Sequence, residues 1–226
     1  MIDTATGYGS MARQDAIGTL EAQGLSLELS GYDERLVQEV AALKGRVGPE
    51  VRCCGDEDSS EKAMLLALRA DEELVGFAAL KLCDFGDRTL AEYLWETYRQ
   101  QYSGGADPFD LEDLPSLVKT VRGRVVYYGD FWVQSARKIN KTALAIVLLS
   151  IAHRDFEADY SYFFTRFRNY RRGLGAHYLA TCSIPFAINW AVDVEHRLSS
   201  DTLYFTSREE AFRLERKFVM NPIEFS

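Results

Sequence analysis

The sequence predicts an α/β fold with a mixed sheet, and three observations carry that expectation. Arg124 to Thr165 reads as strand, loop, helix, strand: an aromatic and β-branched run at Val125–Val133, a polar cationic turn at Gln134–Lys141, an apolar run at helical spacing at Ala143–Ala152, and a second aromatic run at Tyr160–Phe164. A helix joining two strands this closely makes them parallel neighbours. Ala63–Ala70 and Leu74–Leu82 are apolar runs linked by Asp71, Glu72 and Glu73, the pattern of an antiparallel hairpin with an acidic tip. A chain of 226 residues, 47% of them hydrophobic, is long enough for a substantial core in one large domain or two small ones.

Taken in order, residues 1–24 are small, polar and Gly-rich around TGYGS, and read as a mobile leader or a loosely packed first helix near Arg13–Gln23. Residues 25–226 read as a single domain. Leu25–Leu29 alternates as a half-buried strand; Leu36, Val37, Val40, Ala41 and Leu43 recur at helical spacing up to about Lys44. Gly45–Ser60 is a loop whose acidic run Asp56, Glu57, Asp58 is a solvated turn. After the hairpin, residues 84–123 read as an insertion over the sheet, with an amphipathic helix at Thr89–Tyr102, a turn-rich stretch, and a short helix near Ser116–Thr120. Beyond the central unit come a basic helix at Arg166–Tyr178, an apolar run at Leu179–Trp190, a strand at Thr202–Thr206 and a helix at Arg208–Phe218.

The formal charge of −8 argues against a general nucleic-acid binder, which needs a basic face to displace counterions. No stretch approaches the roughly 18 to 20 apolar residues that span a bilayer, and the first residues lack a secretory pattern. The cytoplasm is the expected compartment, and neither nucleic acid nor membrane is an expected partner. Cys53, Cys54, Cys83 and Cys182 show no metal-ligand spacing, so they read as reduced thiols and no metal is expected.

In a strand–loop–helix unit, anions collect where the strand ends and the helix begins, because unpaired amides and the helix dipole favour them there. That points to Val133–Ala143, with Arg137, Lys138 and Lys141 in the loop, and to the neighbouring arginines Arg166, Arg168, Arg171 and Arg172. These cations read either as a phosphate or phosphopantetheine site or as a solvated face.

The element order resembles that of the Gcn5-related N-acetyltransferase (GNAT) superfamily over roughly Leu25–Thr206. In that family a long strand is followed by Gln/Arg-x-x-Gly-x-Gly/Ala, whose amides hold the pyrophosphate of acetyl-coenzyme A. Lys138, Ile139, Asn140, Lys141, Thr142 and Ala143 align best with that loop: the first position is basic, the last is the allowed Ala, and the central glycine is replaced by Lys141. The stretch Asn169–Tyr178 loosely echoes a later family motif. The resemblance implies a mixed, mostly antiparallel sheet flanked by helices, with the helical insertion before the long central strand. It implies an N-acyltransferase that moves an acyl group from a thioester to an amine of a small molecule or peptide. Val133, Gln134, Lys138, Ile139, Asn140, Lys141, Thr142 and Ala143 would hold acetyl-CoA or another acyl thioester. Asp130 would be the base and Tyr178 the acid, with His177 an alternative for either role. Lys141 in place of glycine loses close backbone approach and gains an ammonium; an acyl carrier protein is therefore a further candidate donor, and a binding protein without catalysis the alternative reading. A homodimer is left open.

Neither Cys182 nor Ser135 has the setting of a nucleophile, so no covalent intermediate is expected. Trp95, Tyr98, Tyr102 and Phe109 in the insertion, with Tyr127, Tyr128, Phe131 and Trp132 on the long strand, either wall an acceptor pocket or simply join the insertion to the sheet.

Overall fold

The computed structural model describes residues 4–45, 47, 62–101, 105–134, 137–191 and 199–221. Its strands are β1 (Ser26–Ser30), β2 (Lys62–Ala70), β3 (Glu73–Asp84), β4 (Arg124–Val133), β5 (Tyr160–Thr165), β6 (Cys182–Pro185) and β7 (Thr202–Ser207). They form a seven-stranded sheet in the order β1-β2-β3-β4-β5-β7-β6. β4 and β5 run parallel; the other neighbouring pairs are antiparallel. The helices are α1 (Thr4–Glu21), α2 (Glu34–Lys44), α3 (Leu90–Gln101), α4 (Ser116–Thr120), α5 (Lys141–Ser150), α6 (Phe167–Arg171), α7 (Leu174–His177) and α8 (Arg208–Met220). This is the mixed, mostly antiparallel sheet flanked by helices that the sequence and its resemblance predict.

Helices α1, α5 and α8 cover one face. Ala12, Ala16 and Leu20 of α1, all fully buried, meet Leu144 and Val147 of α5, Ala211 and Phe218 of α8, and Leu66, Leu68, Val75 and Leu80 of the sheet. Helix α5 is buried along its length, from Ala143 to Ser150, which explains why its sequence is apolar all round rather than striped. The opposite face carries two separate cores. Leu36, Val37 and Val40 of α2 pack on Leu65, Ala67 and Phe77. The insertion packs Leu90, Leu94, Tyr98, Phe109 and Val118 on Val125, Tyr127, Tyr162, Leu203 and Phe205.

Local chemistry sets the helix ends. The Asp33 carboxylate accepts from the amides of Arg35 and Leu36 to start α2, and Gly45, at φ 84°, ends it. At α3, Thr89 and Glu92 cap one another reciprocally: the Thr89 amide donates to Glu92 Oε2 at 2.6 Å and the Glu92 amide to Thr89 Oγ1 at 3.2 Å. The bond from the Thr89 amide is the main reason that the Glu92 carboxyl lies below its ordinary range.

Several elements differ from the expectation. The stretch read as a mobile leader or loose helix holds an 18-residue helix whose inner face is buried. The basic helix at 166–178 is instead two short helices, α6 and α7, separated by Gly173 at φ 73°. The apolar run at 179–190 yields only the four-residue β6; Ala187 and Ile188 are buried as loop residues against the insertion. Helix α5 ends at Ser150 and continues as a wider turn, Ile151–Asp155, closed by the Phe156 amide on Ile151 O at 3.0 Å. Cys53, Cys54, the acidic run at 56–58, Tyr102 and Ser135 lie outside the described residues. Among the described residues no helix is long and apolar enough to cross a membrane, and no cluster of His, Cys, Asp and Glu is placed to hold a metal ion.

Candidate functional site

Two irregularities of β4 shape the site. β4 pairs with β5 only at Val125, Val126 and Tyr127; beyond them β5 continues along β7, and β4 goes on to Val133 paired with β3. The parallel pair therefore splays open towards its carboxyl end. In the same stretch β4 bulges against β3, where Gly129 lies opposite Ala79 and Trp132 opposite Phe77, so one extra residue is inserted. Asp130, at φ 50°, takes the left-handed conformation there, which Asp tolerates better than most side chains.

The bulge reverses which way β4 side chains point. Tyr128 packs with the α5 face, and strict alternation would send Asp130 there too. Instead Phe131 and Val133 join that face, while Trp132 packs against α2. The Asp130 carboxylate, only 8% exposed, lies 2.5 Å from Lys44 Nζ at the end of α2. Tyr178, just after α7, sits on the other face with its ring edge-on to Phe131 at 4.4 Å and Phe163 at 6.0 Å. Burial pushes its hydroxyl well above the ordinary phenol value. Thus Asp130 and Tyr178 occupy opposite faces of the sheet at the opening between β4 and β5. His177 is exposed beside Tyr178.

The loop after β4 leads directly into α5. The Gln134 amide donates to Val75 O at 2.8 Å, and Glu73 at the hairpin tip accepts from Gln134 Nε2 at 3.1 Å and from Arg137 Nη2 at 3.3 Å. Ile139 is buried in the main core and pins the loop there. The Asn140 amide donates to Gln23 Oε1 at 3.0 Å, and Asn140 Oδ1 accepts from the Ala143 amide at 2.9 Å. Asn140 is therefore the N-cap of α5, and Lys141 and Thr142 are its first helical residues. Lys138 and Lys141 are exposed on this loop, Thr142 half-buried, and Val133 packs inward. The loop thus presents two ammonium groups and the first amides of a helix, with one of those amides already occupied by the chain's own side chain.

The aromatic residues do not wall one pocket. Tyr98 and Phe109 pack on Trp190 at ring distances of 4.7 and 5.4 Å, and Tyr127 on Tyr162 at 5.2 Å, all within the core beneath the insertion. Tyr128 and Phe131 face the other way, towards α5 and α7. Joining the insertion to the sheet is the role these rings fill, because a lid this size stays folded only by burying them.

Sequence reasoning missed Lys44, Glu73, and a buried polar group beneath the splay. The Tyr128 hydroxyl donates to Leu148 O at 3.3 Å. His153, 2% exposed, holds Ala158 O at 3.0 Å through Nδ1 and meets Ser161 Oγ at 3.1 Å through Nε2. Burial lowers the His153 pKa to about 4 and keeps the ring neutral; because Ala158 O can only accept, Nδ1 carries the proton and Nε2 accepts from Ser161. The acidic hairpin tip was the sequence signal for Glu73; nothing local marked Lys44 as a partner of Asp130.

No family model matches the chain, and no curated protein matches it. Solved structures similar to it include FeeM, an N-acyl amino acid synthase from uncultured soil microbes (11% identity, 87% of this chain and 97% of that chain, TM-score 0.46). They also include the spermidine/spermine N-acetyltransferase SpeG from Vibrio cholerae (8% identity, 83% and 98%, TM-score 0.46). NAA60 from Arabidopsis thaliana, solved in complex with acetyl-CoA, is a third (10% identity, 80% and 98%, TM-score 0.46).

Proposed function

We propose that this chain is a cytoplasmic N-acyltransferase that moves an acyl group from a thioester to an amine of a small molecule or peptide. The observation that carries the reading is the splay of β4 from β5 immediately before the amino terminus of α5. A splayed parallel pair is an opening through the sheet, and a helix amino terminus beside it suits a phosphorylated donor. Lys138, Lys141 and the amides of Lys141 and Thr142 fit the diphosphate of acetyl-CoA or another acyl-CoA in charge, with Val133, Gln134, Ile139, Asn140 and Ala143 shaping the loop around it. An acyl carrier protein bearing the same phosphopantetheine arm is the alternative donor, and the active unit is a monomer or a homodimer.

In this reading the acceptor amine attacks the thioester carbon directly. Its nitrogen forms the new bond to carbon, the tetrahedral carbon collapses, and the carbon–sulfur bond breaks. Asp130, held by Lys44, takes the proton from the amine side, directly or through water. Tyr178, a phenol and so protonated at neutral pH, gives a proton to the departing thiolate from the opposite face. The opening between the strands is where the two faces meet.

Thermal unfolding with acetyl-CoA, free CoA and a long-chain acyl-CoA tests the donor. Ligand that binds only the native state raises stability by RT ln(1 + [L]/Kd), about 2.7 kcal/mol at a hundredfold excess over Kd. An upward shift with these donors is expected. No shift with CoA species, and none with an acylated carrier protein, overturns the transferase reading and leaves a binding protein that keeps the fold without the chemistry.

A further inference from the structure

Helix α6 and the turn after β6 form a patch that the acyl-transfer reading does not use. None of the residues of α6 is buried, which is unusual, because a helix this short gains its stability from packing rather than from its own hydrogen bonds. Its aromatic residues instead pack on one another and on a neighbouring turn: Phe167 lies 5.6 Å from Tyr170 and 4.8 Å from Phe186. Phe186 sits just past β6 at φ 54° and is 58% exposed; Tyr170 is 36% exposed. Rings left this open form an apolar tip rather than a core.

Arginines share this short helix with the rings. Arg168, Arg171 and Arg172 are exposed, and none of them has an ion-pair partner among the described residues. Arg166 is different, since Asp201 Oδ1 holds it at 3.3 Å. A protein with a formal charge of −8 thus concentrates unpaired positive charge around exposed aromatic rings. Two surface grooves, one lined by Trp95 and Arg99 and one by Leu179 and Leu214, lie elsewhere. Phe186 is the most exposed ring of the patch.

We propose that this tip docks on an anionic lipid surface, with Phe186, Phe167 and Tyr170 at the level of the headgroups and Arg168, Arg171 and Arg172 on lipid phosphates. Charge complementarity names an anionic partner. Exposed aromatic rings beside unpaired guanidinium groups suit a lipid surface, which offers phosphates and apolar contact at the same level. Such contact lies in the plane of the interface and needs no spanning helix. It also sets the orientation of the splayed strands, because α7 and Tyr178 follow α6 directly in the chain.

Co-sedimentation of the full chain with vesicles of phosphatidylcholine, alone and mixed with phosphatidylglycerol, tests this independently of any acyl transfer. Binding is expected only to the mixed vesicles, falling as salt rises and weakening by at least about fivefold for each arginine changed to Glu. A Phe186→Trp variant should bind with a blue shift of its added fluorescence as the ring enters the interface. These positions are exposed, so thermal unfolding of each variant should match the parent and separate a binding defect from misfolding. Absence of binding to mixed vesicles at low salt overturns the proposal. So does binding that is unchanged in the Arg168→Glu, Arg171→Glu, Arg172→Glu triple variant, or a Phe186→Trp spectrum unmoved by vesicles; the last would assign the patch to an acidic protein instead.

Discussion

Lys44 Nζ, at the last turn of α2, lies 2.5 Å from Asp130 Oδ1 in the bulge of β4. The contact joins residues 86 positions apart and ties α2 to the lip of the opening between β4 and β5. Asp130 is nearly buried, so removing Lys44 takes away a cation that offsets its reduced solvation. Lys44→Met should lower stability by about 1–3 kcal/mol, read from a denaturant midpoint. Asp130→Asn keeps a residue that tolerates positive φ and removes only the charge. It should therefore retain the fold and donor binding while losing turnover by about a hundredfold or more. Turnover equal to the parent would take the base role away from Asp130.

Asn140 makes a second test of the site. Its side chain caps α5 by accepting from the Ala143 amide, where a bound phosphate would also draw on helix amides. Asn140→Ala should cost about 1 kcal/mol of stability, as N-cap removal generally does. The same change frees one amide at the helix start. Donor affinity in Lys138→Gln and Lys141→Gln variants should fall, and should fall more steeply as salt is lowered, because screening of exposed charges is weaker there. Calorimetric titration with CoA reads both effects.

The buried His153 couples stability to pH. Its pKa in the fold is about 4, chiefly through burial, against an ordinary value of 6.5. Between those values the unfolded chain binds a proton that the native chain does not. Its stabilising contribution is therefore complete above pH 6.5 and is lost as pH falls towards 4. The loss is on the order of 3 kcal/mol over that window. Denaturant midpoints measured across it should fall more steeply for the parent than for His153→Gln; parallel slopes would show that His153 is not the titrating group.

How much of this was legible depends on the range of each interaction. The unit from β4 through α5 to β5 was visible because its signals are local: β-branched alternation, a polar turn, and an apolar helical run. The bulge at Asp130 was not, since a bulge is a mismatch with a partner strand and requires the register of β3. That single residue decides which face each later side chain of β4 meets, so Tyr128, Phe131 and Trp132 could not be assigned to faces by alternation. Gly173 is a local signal for the break between α6 and α7, since it takes the positive φ that ends the first of them. Glu215 was also visible in principle, standing at the apolar spacing of Ala211 and Phe218 on α8; a carboxylate on a buried stripe asks for a distant cation, and Arg154 supplies it.

That pair supports a last prediction. Glu215 is fully buried, and Arg154 reaches it with Nε at 3.0 Å and Nη2 at 2.7 Å on the same oxygen, while the guanidinium lies 4.4 Å from the Phe212 ring centroid. Helix α1 closes over this group at Gly9, where an added Cβ would come within 1.8 Å of Arg154 Cζ. A free arginine would swing aside at little cost, but this one is held by a buried carboxylate that has no other charged partner among the described residues. Gly9→Ala should therefore destabilise by on the order of 3 kcal/mol, the scale of separating a buried ion pair. The mechanism is tested by a double-mutant cycle with Arg154→Met and Glu215→Gln, which removes the charges and the guanidinium together. In that background Gly9→Ala should cost little or even stabilise α1 through better helix propensity. Equal costs in both backgrounds would place the strain elsewhere in the packing of α1 rather than at the Arg154–Glu215 pair.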